Sequence, residues 1–217
     1  MKTLALTLLA ILGVAHAQES VACRFLCFER AKDGTTKFIA AGAGGQAVDC
    51  PLPISMPSAP VSLVAKNGVI EFRKAVGDAA PSAVAKVPAG VGSAFVLMLP
   101  PTGNEGRIHD VVVIEDSEKG FPKDGCVVLN LYEQNVRFII GEHQVLLPPG
   151  KTAPLERPKK LDEFNMGATA FQFQSGEEWR TASESLMRFP EGQRHLFVTF
   201  VDPATKRPRL KSFRIGT

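Results

Sequence analysis

The chain has 217 residues, 45% of them hydrophobic and 22% charged, a balance that predicts a packed globular core and excludes disorder. Lys and Arg number 25 against 22 Asp and Glu, a formal charge of +3, which is no nucleic-acid footprint. One Trp and one Tyr are too few for a carbohydrate platform of stacked rings.

At the N-terminus, Lys2, the apolar run Leu4 to Val14 and Ala15-His16-Ala17 predict a secretory signal peptide over residues 1–17. A membrane span needs about 20 apolar residues, so this run is too short to cross, and no transmembrane span is expected in the mature chain. The mature protein is expected to begin near Gln18 and to be periplasmic or extracellular. Lipidation at Cys23 is disfavoured, because Glu19 interrupts the apolar approach and Ser20 is a poor residue three places before a lipidated Cys.

After the signal, Val21 to Arg30 alternates, with Val21, Cys23, Phe25 and Cys27 on one side, and reads as a strand. Thr36 to Ala40 returns. Gly42-Ala43-Gly44-Gly45 is a plain loop rather than a phosphate cradle, because no Gly-Lys-Ser/Thr and no helix follow it. Pro51, Pro53, Pro57 and Pro60 keep the next stretch extended. Val61 to Ala65 and Val69 to Phe72 flank Asn67-Gly68, the pair favoured in type I′ turns, and predict a hairpin. Residues 76–92 have little side-chain volume and are either a domain boundary or an edge strand. Ser93 to Leu99 is apolar on both faces and suits a buried strand, and Arg107 to Glu115 returns after a turn at Thr102-Gly103-Asn104.

Cys126 to Lys151 reads as a three-stranded meander. With Gly141-Glu142 as a two-residue type II′ turn, Ile140 pairs with His143, Phe138 with Val145 and Val136 with Leu147. An even loop over Glu133-Gln134 sets Leu129 opposite Phe138 on one core face, with Arg137 and Gln144 on the other face. Thr152 to Phe164 then reads as loop, its cluster Arg157-Pro158-Lys159-Lys160 solvated. Strands are expected again at Ala168 to Gln174, Trp179 to Thr181, Ser185 to Phe189, Arg194 to Val201 and Arg209 to Ile215.

Cys23, Cys27, Cys50 and Cys126, an even set in an exported chain, predict two disulfides. Cys23 and Cys27 stand ~13 Å apart along one strand and cannot bond each other, so Cys27 with Cys50 and Cys23 with Cys126 is the favoured connectivity. A four-thiolate zinc site is disfavoured because Cys50 and Cys126 stand alone, and no metal or cofactor is called for. His109, His143 and His195 are the histidines of the mature chain. No nucleophile elbow, zinc-protease motif or P-loop accompanies them, so no catalytic residue is assigned.

Phe121-Pro122 to Gly125, Val127 to Leu131 with Asn130, Val136 to Gly141, and Leu147-Pro148-Pro149-Gly150, supported by Trp179 and the two final strands, resemble a pattern in functionally uncharacterised exported bacterial all-β proteins. The resemblance lies mainly in residues 121–151, implies a secreted β-sandwich-like fold and brings no catalytic or binding residue with it. The chain is therefore expected to be all-β, an antiparallel sandwich of about a dozen strands with no major helix. Residues 18–217 are expected to form one unit, the alternative being two small sandwiches split within 76–92. Function is expected to be non-enzymatic, either interaction with other envelope or extracellular proteins or envelope structure. The other possibility is an extracytoplasmic hydrolase assembled from a histidine, a distant serine and a carboxylate.

Overall fold

The computed structural model describes residues 19–103 and 106–216. The expected signal peptide over 1–17, and Asn104 of the expected turn, lie outside them. Sixteen strands form among the described residues, where about a dozen were expected. Eight come before residue 116: β1 (Glu19–Cys27), β2 (Lys37–Ala41), β3 (Ala47–Pro51), β4 (Val61–Ala65), β5 (Val69–Phe72), β6 (Ala83–Lys86), β7 (Ser93–Leu99) and β8 (Asp110–Glu115). Eight follow: β9 (Cys126–Asn130), β10 (Val136–Ile140), β11 (His143–Leu147), β12 (Thr152–Leu155), β13 (Met166–Ser175), β14 (Glu178–Arg188), β15 (Gln193–Val201) and β16 (Pro208–Gly216). A 3-10 turn at Ala43–Gly45 occupies the glycine-rich loop.

The two sets of eight share one strand order. An inner sheet β4-β1-β7-β8 in the first corresponds to β12-β9-β15-β16 in the second. In each, the first and seventh strands run parallel and the flanking pairs are antiparallel, so the purely antiparallel expectation is corrected. The outer layer is β3-β2 and β5-β6 in the first half and β11-β10-β13-β14 in the second. There the halves diverge. β10 and β13 pair over five residues, whereas their counterparts β2 and β5 meet only at Ile39 and Arg73, whose N–H groups donate to each other's carbonyls at 2.7 and 2.9 Å.

Three cores stack between these layers, which is why a single sandwich does not describe the chain. Cys23, Phe25, Phe72 and Val96 belong to the core between the first outer strands and the first inner sheet. Leu97, Phe95, Leu129 and Val198 belong to a central core between the two inner sheets. Val128, Phe138, Phe171 and Phe197 fill the third, under the second outer sheet. Alternation along each inner strand feeds two cores at once: on β7, Ala94, Val96 and Met98 face the first core while Phe95, Leu97 and Leu99 face the central one. The all-apolar sequence of Ser93–Leu99 follows from burial on both faces.

The expected β10–β11 register is the observed one, Ile140 with His143, Phe138 with Val145 and Val136 with Leu147. Gly141 has φ +58° and Glu142 does not turn positive, as a type II′ turn requires, and a Cβ at Gly141 would stand 2.6 Å from the Pro158 Cβ. The third strand of the meander is corrected, because β9 joins the inner sheet and not β10. Asn130 directs the crossing: its Nδ2 donates to the Gln134 and Leu147 carbonyls at 2.9 and 3.0 Å, and its Oδ1 accepts from the Tyr132 N–H at 2.8 Å. Leu129 thereby lies in the central core and Phe138 in the third.

At Asn67-Gly68 the turn forms with both φ positive, +54° and +72°, yet the ladder stops after the Lys66–Val69 bridge as β4 goes to β1 and β5 to β6. One stretch read as loop forms a strand, and one of two readings of residues 76–92 is the observed one. Thr152–Leu155 pairs with β9 as an edge strand, where the missing N–H of Pro154 is tolerated. Residues 76–92 contain β6, an edge strand on β5. No helix among the described residues is long and apolar enough to cross a membrane.

Candidate functional site

The four cysteines are all buried and all free, which corrects the two expected disulfides. Cys23, Cys27 and Cys50 lie in the first core and Cys126 in the third, with the central core between them, so the expected Cys23–Cys126 bond is precluded by layering. Cys27 and Cys50 share a core without bonding. Burial pushes each of the four thiols up to about 12, so at neutral pH they are protonated and act as small apolar side chains.

The three histidines are held in three separate places. His109 is buried, and its Nδ1 donates to the Leu99 carbonyl at 2.9 Å while the ring meets Phe38 edge-on at 5.8 Å. His143 follows the β10–β11 turn, with its Nε2 3.6 Å from Glu142 Oε1. Glu142 is a turn residue, so the rule that strand neighbours point apart does not hold there. Its carboxylate accepts the Lys159 and Lys160 N–H groups at 2.8 and 3.1 Å, which hold it down at about 2. The basic cluster is thus partly a docking segment, since Pro158 is buried and Arg157 donates to the Phe189 carbonyl at 3.0 Å. His195 is fully buried between Phe189 and Phe197, and burial lowers it to about 4. No serine hydroxyl hydrogen-bonds any of these three rings among the described residues.

What the fold does bring together is the set of C-terminal ends of the four central strands. β1, β7, β9 and β15 all run toward one end of the central core, where they deliver Phe28, Leu99, Leu131 and Phe200 to the walls of one cavity of about 750 Å³. Phe28 and Phe200, one from each half, meet edge-on at 5.0 Å and form the contact between the cavity and the core behind it. Pro100, Pro101 and Ile108 extend the apolar lining on the first half, and Val201 and Pro203 on the second.

The cavity is chemically two-sided. Glu29, Arg30, Lys32 and Asp33 line it from the segment that follows β1, and the same half adds the polar side chains of Thr102 and His109. The second half contributes only Leu131, Phe200, Val201 and Pro203. Thr102 is fixed beside it by Asp110, whose Oδ2 accepts from the Thr102 N–H at 2.8 Å and hydroxyl at 2.6 Å.

The other end of the central core is closed. Asp116 Oδ1 accepts from Arg194 Nη1 at 2.6 Å, and Asp116 Oδ2 stands 4.0 Å from Arg24 Nη1. The Arg194 guanidinium covers the Phe121 ring at 4.5 Å, a cation–π contact over a buried aromatic. A second depression, of about 620 Å³, opens on the outside of the first half where β2 and β5 part. Its charged lining is partly internally satisfied, because Arg73 Nη2 and Glu71 Oε2 pair at 2.5 Å.

Of the cavity-lining positions only His109 was weighed in the sequence, as one of three histidines open to a hydrolase, and the others were not singled out. The available signal was four apolar strands ending in short polar or proline-rich segments, and it identifies a site only once the strands are known to run the same way. No protein-family model and no curated protein sequence matches this chain.

Proposed function

We propose that this is an exported, non-enzymatic binding protein that takes a small, mostly apolar ligand into the cavity at the ends of β1, β7, β9 and β15. The observation that carries the reading is the convergence of four parallel-directed strand ends, two from each half, on one cavity of about 750 Å³ walled by Phe28, Leu99, Leu131 and Phe200. That volume falls within the range of small-molecule sites, which favour apolar walls with few polar groups and junctions between packed units. A hydrolase built on His109, His143 or His195 has less support, since each ring is separately engaged by a carbonyl, a turn carboxylate or aromatic neighbours.

The test is fluorescence titration of the mature protein with the neutral apolar dye N-phenylnaphthylamine. Saturable binding near one dye per chain is expected, abolished by Leu131→Trp, which fills the cavity from a half-buried position. Absence of saturable binding, or binding untouched by a folded Leu131→Trp protein, overturns the reading.

A further inference from the structure

We infer that the ligand is an amphiphile with an anionic head, a long-chain carboxylate being the simplest member of the class, its head held at the Arg30–Lys32 segment and its chain laid against the second half. This rests on the cavity being the ligand site. Two independent features of the lining support it, the separation of polar from apolar wall and the sign of the charge left over on the polar wall.

The separation dictates an amphiphile. A wholly apolar ligand would use only the wall of Leu131, Phe200, Val201 and Pro203 and leave the charged segment 29–33 unused, and a wholly polar one would face that apolar wall without partners. Only a molecule polar at one end and apolar along the rest satisfies both walls.

The sign follows from which charges on the polar wall are already matched. Asp33 is matched: its Oδ2 accepts from Lys74 Nζ at 2.5 Å, and its Oδ1 accepts the Thr35 N–H at 3.1 Å, which together hold the carboxyl well below the usual carboxylate range. Glu29 lies within electrostatic reach of Lys211, whose ammonium donates to the Phe28 carbonyl and rests over the Phe28 ring at 4.3 Å. Arg30 and Lys32 are exposed and have no carboxylate partner among the described residues. Of the four charged lining residues, the two acids therefore have cations beside them and the two cations have no anion. An incoming carboxylate head finds a guanidinium and an ammonium without displacing any existing pair, and Arg30 offers it bidentate donors. A cationic head would meet two like charges.

The test displaces bound N-phenylnaphthylamine with three dodecyl compounds of equal chain length, each below its micelle concentration: dodecanoate, dodecanol and dodecyltrimethylammonium. Dodecanoate is expected to compete at a concentration lower by about tenfold or more than either of the others, a difference of about 1.4 kcal/mol. The preference should shrink as ionic strength rises from about 0.05 M to about 0.5 M, since the head-group contacts are exposed. In the Arg30→Glu, Lys32→Glu double variant the order is expected to be inverted, with dodecyltrimethylammonium now strongest, and an order unchanged from wild type overturns the head-group inference. If the dye binds, Leu131→Trp blocks it and the three compounds compete equally, the head-group inference is overturned while the cavity reading stands. If the dye does not bind at all, the cavity reading falls and takes the inference with it.

Discussion

The two ends of the central core pose the same physical problem and solve it in opposite ways. At each end two apolar sheet faces stop and their last side chains would meet water. At the end where β7 and β15 begin, Asp116 lies between an arginine from each half, and Arg194 caps Phe121. At the end where β1, β7, β9 and β15 finish, no such clamp exists among the described residues and a cavity of about 750 Å³ remains, with Phe28 and Phe200 at its back. A sandwich interface needs one closed end to hold the sheets together; the other can be left open and become a site.

The largest expected effect is at the closed end. Asp116→Ala removes the partner of Arg194, which is 8% exposed, and should cost about 3–5 kcal/mol in denaturant unfolding, the range for an abandoned buried charge. Loss of less than about 1 kcal/mol would show that the closed end does not hold the halves together and would break the comparison. Leu129→Ala, in the core between the two ends, should cost about 2–5 kcal/mol by the same measurement.

Next in size is the pH dependence set by His195, which lies in the third core between Phe189 and Phe197. Its folded-state value, about 4, is below the ordinary imidazole value near 6.5, so the unfolded chain binds the proton more readily. Its contribution is therefore complete above about pH 6.5 and is lost as pH falls toward about 4, amounting to something on the order of 2–3 kcal/mol. Equilibrium unfolding of wild type and His195→Phe between those pH values checks this, because the variant should show a shallower decline. Equal slopes would mean the ring is solvated in the folded state.

At the open end the effects on stability should be smallest. Arg30→Gln and Lys32→Gln are expected to change unfolding free energy by no more than about 0.5 kcal/mol, as exposed positions do. A cost as large as that of Asp116→Ala would mean the open end is also structural. The thiols give a prediction with no expected native-state effect at all. With all four pushed up to about 12, disulfide-exchange reagents at pH 8 should find none in the folded protein and all four after denaturation.

The outer layers add a second contrast. Five paired residues join β10 to β13, while one bridge, Ile39 with Arg73, joins β2 to β5. The amides of Ile39 and Arg73 should therefore exchange with solvent faster than those of β10 by more than about tenfold, an opening free energy lower by about 1.4 kcal/mol.

By itself the sequence determined the local geometry of this protein. Alternation marked both faces of β1 and β10, a continuous apolar run marked β7, and Gly141-Glu142 fixed a register that holds residue for residue. These are legible because side-chain period and turn dihedrals are properties of neighbours in the chain. Tertiary structure decided the partners. After Asn67-Gly68 the chain makes the expected turn, after Asn130 it crosses where a hairpin was expected, and in both places it leaves for a different sheet. The parallel pairs β1–β7 and β9–β15 join strands whose first paired residues, Ala22 with Ser93 and Cys126 with His195, are far apart in sequence. No local signal distinguishes such a partner from the adjacent strand, because both offer the same backbone hydrogen bonds. The choice is made by which arrangement buries both faces of the inner sheets. The cavity exists only as a consequence of that choice, since its four strand ends meet in space and nowhere in the sequence.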